Sequence, residues 1–397
     1  MSDVTINDEA LISLARALAA TSSVSGTEGA AVAIVVDAMK TLGFEDVRID
    51  DAGNAVGELG RDKGARLLID GHIDSIPLHS AERWTVDPFG GEIRDGRLYG
   101  LGICDQKGSI AAAVHGVAAM AAQDRIPGRV AVVASVCEEH MEGQALAGAV
   151  DAFAPNVVIT SEPNDTRLCI GQRGRAKAWV RVIGRGCHAG HAREGLNAAE
   201  ALAALIGEAR AVEHPTHEKL GRRDLTCIDI ASWPYPSVST VPERAEARFD
   251  CRFLPGETRE SILALLRECA SRAWASWPEP PGLECGLVEA SFTTWTGARF
   301  AADEFAAAWW TDDDGRVVHD AQRAMIDAGL DPTPTHYSFC TNGSLTAGAL
   351  GIPTLGFGVG VELMAHQVDE HITLDSLRAG ARGYASLASR LTDGSHQ

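Results

Sequence analysis

Two histidines and four carboxylates stand out because each sits in a short motif: Gly71-His72-Ile73-Asp74, Asp105-Gln106-Lys107-Gly108, Glu138-Glu139, Ser161-Glu162-Pro163 and Ala365-His366. Two imidazoles, three ligand carboxylates and a spare glutamate are the donor set for a pair of borderline-hard divalent cations, and hydrolysis is the usual work of such a pair. His72 and Asp74 are two apart at the end of an apolar strand, so their side chains share a face and Asp74 can orient the imidazole. Asp105 follows a Gly-rich approach and precedes a helix. A carboxylate at that junction can bridge two cations, and it can equally serve as a helix cap. In Glu138-Glu139 the adjacent charges are tolerated when a cation neutralises one, or when both are solvated in a loop.

These residues need elements to carry them. Periodicity predicts helices over 8–19 and 27–42, the second stopping at Gly43. A short apolar strand over 66–70, a small-residue helix over 108–122 and strands over 129–136 and 156–160 follow. Strands separated by helices imply a mainly parallel sheet with helices on both faces. Four of the five motifs then fall at the carboxyl ends of strands or in the loops that follow, where open α/β sheets collect their sites. His366 lies in a late loop before a helix starting near 373.

From about 174 the rhythm changes to strand 177–183, helix 198–212, strands 225–232 and 245–253, helix 259–275 and strand 283–289. This βαββαβ order is that of a ferredoxin-like sandwich. Because strand–helix alternation resumes afterwards, the module reads as an insertion: residues 1–174 and 291–397 form one domain and 175–290 the other.

A chain of 397 residues is longer than one hydrophobic core usually serves, which agrees with two domains. Its formal charge of −19 opposes nucleic-acid and anionic-membrane partners, since both would be repelled. The N-terminus lacks the basic start and apolar run of a secretion signal, and no apolar stretch is long enough to span a bilayer. Nine cysteines without a Cys-x-x-Cys pair fit reduced thiols, hence a cytoplasmic location. Cys104 and Cys137, each next to a motif carboxylate, read as small buried packing residues.

Taken together, the motifs resemble those of the M20 family of metallopeptidases and amidohydrolases, over nearly the whole chain. The matching segments are Gly71 to Pro77, Gly100 to Gly108, Glu138-Glu139, Glu162 and Ala365 to Glu370. In the inserted module, His188-Ala189-Gly190 and Asp250-Cys251-Arg252 resemble the family's lid motifs, and the segments 155–175 and 339–358 are similar to a subgroup linked to selenium metabolism. The resemblance implies two divalent metal ions per subunit, zinc first and manganese or cobalt next. Asp105 would bridge them, His72 and Glu162 would complete one site, and Glu139 and His366 the other. Glu138 would be the general base on the bridging water, and a non-proline cis peptide would lie beside Asp105. The resemblance further implies a homodimer through the inserted lid domain, with His188 steadying the oxyanion in the partner's site and Arg252 gripping a substrate carboxylate. Ser239 and Asn342 stand where many members have Asn and Asp, so they are the candidate contacts that would set this chain's own small-molecule substrate. The implied activity is amide hydrolysis of an N-acyl amino acid or dipeptide-like compound. Hydrolysis of another C–N bond, as in a deaminase or carbamoyl hydrolase, and a non-catalytic binding protein are the alternatives.

Overall fold

The computed structural model describes residues 4–393. The chain forms two compact units, one containing the segments up to Gln172, Ser291–Phe300 and from Trp310 onward, the other Arg173–Ala290 and Ala301–Trp309. The second unit therefore takes in a return excursion beyond residue 290, where the sequence reading ended the insertion. No helix among the described residues is long and apolar enough to cross a membrane.

The first unit opens with α1 (Asp8–Ala19), whose first turn is capped by the Asn7 side chain, and α2 (Gly29–Thr41). Then come β1 (Glu45–Ile49), β2 (Ala55–Gly60), β3 (Arg66–His72), α3 (Gly108–Ala121), β4 (Arg129–Ser135), α4 (Ala147–Phe153), β5 (Val157–Thr160) and β6 (Leu168–Gln172). In the second unit lie β7 (Gly174–Ile183), α5 (Ala198–Ala211), β8 (Asp224–Trp233), β9 (Arg244–Phe253), α6 (Arg259–Ala273), β10 (Gly282–Leu287) and the two-residue β11 (Phe305–Ala306). The first unit is completed by α7 (Arg316–Asp327), β12 (Pro334–Tyr337), β13 (Thr354–Gly356) and α8 (Leu374–Leu391).

The large sheet of the first unit runs β1-β2-β4-β3-β5-β13-β6. Its centre, β4-β3-β5-β13, is parallel, and β2 and β6 join antiparallel at its two sides, so the sheet is mainly parallel as expected. Strands buried on both faces read as continuous apolar runs, and Val130 to Ala134 of β4 are all within 1% of complete burial. On one face α4 places Val150 and Phe153 against Val56, Leu68, Val133 and Val158. On the other, Met39 of α2 and Ile110 of α3 lie where a side chain at Gly57 or Gly71 would have to go. That close approach seats α3 directly behind the end of β3.

The second unit has the antiparallel order β8-β9-β7-β10, the ferredoxin-like arrangement. Alternate residues of β7 (Ala176, Ala178, Val180, Val182) and β9 (Ala245, Ala247, Phe249) face Leu202 and Leu205 of α5 and Ile262 and Leu266 of α6. Thr258 and Ser261 form a reciprocal capping box at the start of α6. The excursion strand β11 pairs with the start of β7, Phe305 opposite Ala176.

Candidate metal centre

Three neighbouring strands end at one place. The central one, β3, presents His72; β4 on one side runs into Glu138-Glu139, and β5 on the other into Glu162. Parallel register aligns these ends, with His72 opposite Ser135 and Asp70 opposite Thr160. Asp105 arrives from the turn that starts α3, and its bond to Gln106 is the cis peptide implied by the resemblance. His366 comes from the loop between β13 and α8.

The two oxygens of Asp105 face different histidines. Oδ1 is 3.1 Å from Nε2 of His72, and Oδ2 is 3.3 Å from Nε2 of His366. Around His72 stand Glu138 Oε2 and Glu162 Oε1, each 3.9 Å from Nε2. Beside His366 stands Glu139, with Oε1 2.7 Å away. The ligand atoms of His72, Asp105 and Glu139, and those of His72, Glu138 and Glu162, fall into two groups in which all atoms lie within 4.8 Å of one another.

The electrostatics of this cluster call for positive charge. Burial pushes the Glu138 and Glu162 carboxyls well above the usual carboxylate range, and neighbouring negative charge adds to it, from Glu162 and Glu139 at Glu138 and from Asp105 and Glu139 at Glu162. Burial alone would discourage a proton on His72, but the hydrogen bond to Asp105 and the charges of Glu138 and Glu162 outweigh it and raise its affinity. His366 is pushed up to about 10 by its hydrogen bonds to Asp105 and Glu139. Glu138 Oε1 is buried and accepts no hydrogen bond among the described residues. A donor set of two imidazoles and four acids that draws in protons, with one buried oxygen left over, fits two divalent cations carrying four charges.

Other carboxylates hold the backbone of this site in place. Asp74, fully buried, takes the amides of Glu138 and Glu139 on its two oxygens, both at 3.1 Å, and the Ser25 hydroxyl at 2.7 Å. Orientation of His72 falls to the Asp74 carbonyl, 3.1 Å from Nδ1, rather than to the Asp74 carboxylate at 3.6 Å, where the sequence reading placed it. Glu370 accepts the amides of Gly102, Cys104 and Asp105 at 2.8 to 3.1 Å, which fixes the turn carrying Asp105. Sequence reasoning passed over Glu370 as a role-bearing residue because its type alone suggests a solvated surface acid. Its signal was its place four residues after His366.

Asn342 lies deep in the first unit. Its amide donates to Asp70 at 2.8 Å and to Ser135 at 3.2 Å, and its oxygen accepts the Gly143 amide. Thus Asn342 braces the segment after Glu138-Glu139 against β3 and β4. His188, Ser239 and Arg252 belong to the second unit. His188 and Ser239 are exposed on adjoining segments: His188 bridges to Thr240, and the Ser239 carbonyl accepts the Ala189 amide at 2.8 Å. Arg252 is half-buried on β9 and engages Asp250 at 2.8 Å. Of the tryptophans, Trp309 is buried, while Trp295 packs its ring over Gly29 and Gly53 and donates to the Gly53 carbonyl at 3.0 Å.

Residues 68–390 match the profile of peptidase family M20/M25/M40. The chain is 30% identical over 319 residues to succinyl-diaminopimelate desuccinylase of Rhodospirillum centenum, covering 72% of this chain and 81% of that one. It is 28% identical over 385 residues to the uncharacterized protein YgeY of Escherichia coli K12, covering 94% and 92%. Among solved structures, the YXEP protein of Bacillus subtilis, described as a dinuclear metal binding peptidase of the same family, superposes with a TM-score of 0.72 at 15% identity, over 97% of this chain and 98% of that one. With the profile spanning both the sheet that carries the site and the inserted unit, the chain belongs to peptidase family M20/M25/M40 and is a metallohydrolase of amide bonds.

Proposed function

We propose that this protein hydrolyses the amide bond of a small, carboxylate-bearing N-acyl amino acid or dipeptide-like compound, with two divalent cations held between His72, Glu162, Asp105, Glu139 and His366. The observation that carries the reading is the division of Asp105, whose two oxygens face two different histidines. The desuccinylase likeness supports an N-acyl substrate, and the name of the Bacillus relative supports the pair of metals. Zinc is the first choice for this ligand set, and manganese or cobalt would also suit it.

Cations bound there would polarise a carbonyl and acidify water. The chain's own residues do the rest. Glu138 takes a proton from the attacking water and returns it to the leaving nitrogen, a task suited to a buried carboxyl whose proton affinity is raised. Asp74 fixes the direction of Glu138 through its backbone amide. Arg252 is the candidate grip for the substrate carboxylate, with the exposed Ser239 as the position where specificity departs from related chains, whereas Asn342, buried and engaged by Asp70, Ser135 and Gly143, acts as a brace and not as a substrate contact.

In this reading the protein is a cytoplasmic homodimer joined through the second unit. All nine cysteines are free, as suits a reducing compartment. Support for pairing comes from β8, an edge strand with Ile228 and Ile230 exposed at 52% and 62%. His188 then serves the active site of the other subunit as an oxyanion donor. Its loss should lower kcat by about 10²-fold. Mixing inactive Glu138→Gln and His188→Ala proteins should restore activity at one site of each heterodimer. No recovery despite demonstrated subunit exchange would place His188 in its own subunit's chemistry or outside the chemistry altogether.

A further inference from the structure

The turn that carries Glu138 is held by two carboxylates, and one of them has no assigned role. Cys137, Glu138 and Glu139 present three consecutive amides. The second and third go to Asp74. The first goes to Glu28 Oε1 at 3.1 Å, which also accepts the Cys137 thiol at 3.2 Å and the Gly26 amide at 2.9 Å. Glu28 is fully buried, and it stands at the start of α2, where its carbonyl accepts the Val32 amide, so its own backbone is fixed by a helix.

The hold is needed because Cys137 has φ +57°, a left-handed conformation that a side-chain-bearing residue rarely keeps unless its surroundings impose it. A turn of this kind can relax by rotating the Cys137 peptide. Such a rotation would re-aim the side chain of the next residue, Glu138. Charge-assisted hydrogen bonds that the Cys137 amide and thiol donate to the buried Glu28 carboxylate oppose it, beside those that Asp74 accepts from the next two amides.

We infer that Glu28 is a positioning residue for Glu138, locking the Cys137 peptide so that the Glu138 carboxylate keeps its direction. The inference rests on the reading of Glu138 as the base, so its main readout is independent of turnover. Cys137 is fully buried, so its thiol is shielded from reagents as long as the turn holds. Cys104, Cys169, Cys251 and Cys269 are also buried and serve as internal references.

The test is alkylation of the metal-loaded protein by iodoacetamide, read cysteine by cysteine by mass spectrometry. In Glu28→Leu, Cys137 should react at least about tenfold faster than in the wild type while the four reference thiols stay protected, because only one turn has been freed. kcat should fall by about 10²-fold with KM little changed, since misplacing a catalytic group mainly weakens the transition state. Glu28→Gln retains an acceptor of the same length and should stay near wild type in both measurements. If Glu28→Leu does not fold, Glu28→Asp, one methylene shorter, decides by the same selective rise at Cys137. Unchanged protection of Cys137, or a rise shared by all the buried thiols, overturns the inference. If Cys137 is freed but Glu138→Gln proves fully active, the clamp stands and the reading of Glu138 falls instead.

Discussion

Glu138→Gln is expected to reduce kcat by about 10³-fold or more while metal content and KM stay at wild-type values. General-base catalysis contributes roughly 10² to 10⁴ in rate, and 10³ corresponds to about 4 kcal/mol of transition-state stabilisation. Glutamine keeps the size and polarity of the side chain and its backbone bond to Asp74, and removes only the ability to take a proton. The neighbouring Glu139→Gln should behave differently. Glu139 sits 2.7 Å from His366 at the other side of Asp105, so its loss should weaken one cation and make activity dependent on added metal. Elemental analysis beside steady-state kinetics separates the two, and an exchange of these behaviours between the variants would reverse the roles of base and ligand.

The second large effect is expected at Asp105. Asp105→Asn offers one oxygen where two are needed and turns an NH2 group toward one of the histidines. Metal content should drop from about two cations per chain to about one or fewer, and turnover by about 10³-fold or more, because a bridged pair supplies several kcal/mol of charge stabilisation. Stability gives an independent readout. In the wild type a chelator should lower the melting temperature, since cations that bind only the folded state stabilise it by mass action. The Asp105→Asn protein should melt at nearly the same temperature with and without chelator. A variant that kept two cations and its chelator sensitivity would remove Asp105 from the bridging position, and with it the dinuclear reading.

The sequence was most informative where periodicity and motif coincided. β3, β4 and β5 are short, mostly apolar and buried runs, and each ends in, or leads within three residues to, a residue that has no reason to be there except chemistry: His72, Glu138 or Glu162. Other parts left no such trace. β2, Ala55-Val56-Gly57-Glu58-Leu59-Gly60, has two glycines and a glutamate, so it resembles a loop, yet it is nearly all buried between β1 and β4, with Glu58 paired to Arg129 at 3.2 Å. A two-residue strand such as β11 carries no period at all, which is why the excursion of residues 301–309 went unseen. Buried acids were the other blind spot. Glu28, Asp70 and Glu370 accept hydrogen bonds from segments 109, 272 and 268 residues away, and nothing local in the chain announces such partners.

The four passages of the chain between its units have a consequence for synthesis. The second unit has all of its strands once residue 309 has left the ribosome, whereas the first unit still lacks β13, the strand between β5 and β6, and the loop bearing His366. During elongation at about 5 to 20 residues per second, the inserted unit can therefore fold while its host remains an open half-sheet. In that interval Asp105, Glu138, Glu139 and Glu162 already exist as a group of acids without their second histidine. Cation capture at the proposed site therefore waits on the segment bearing His366, which follows the inserted unit in the chain.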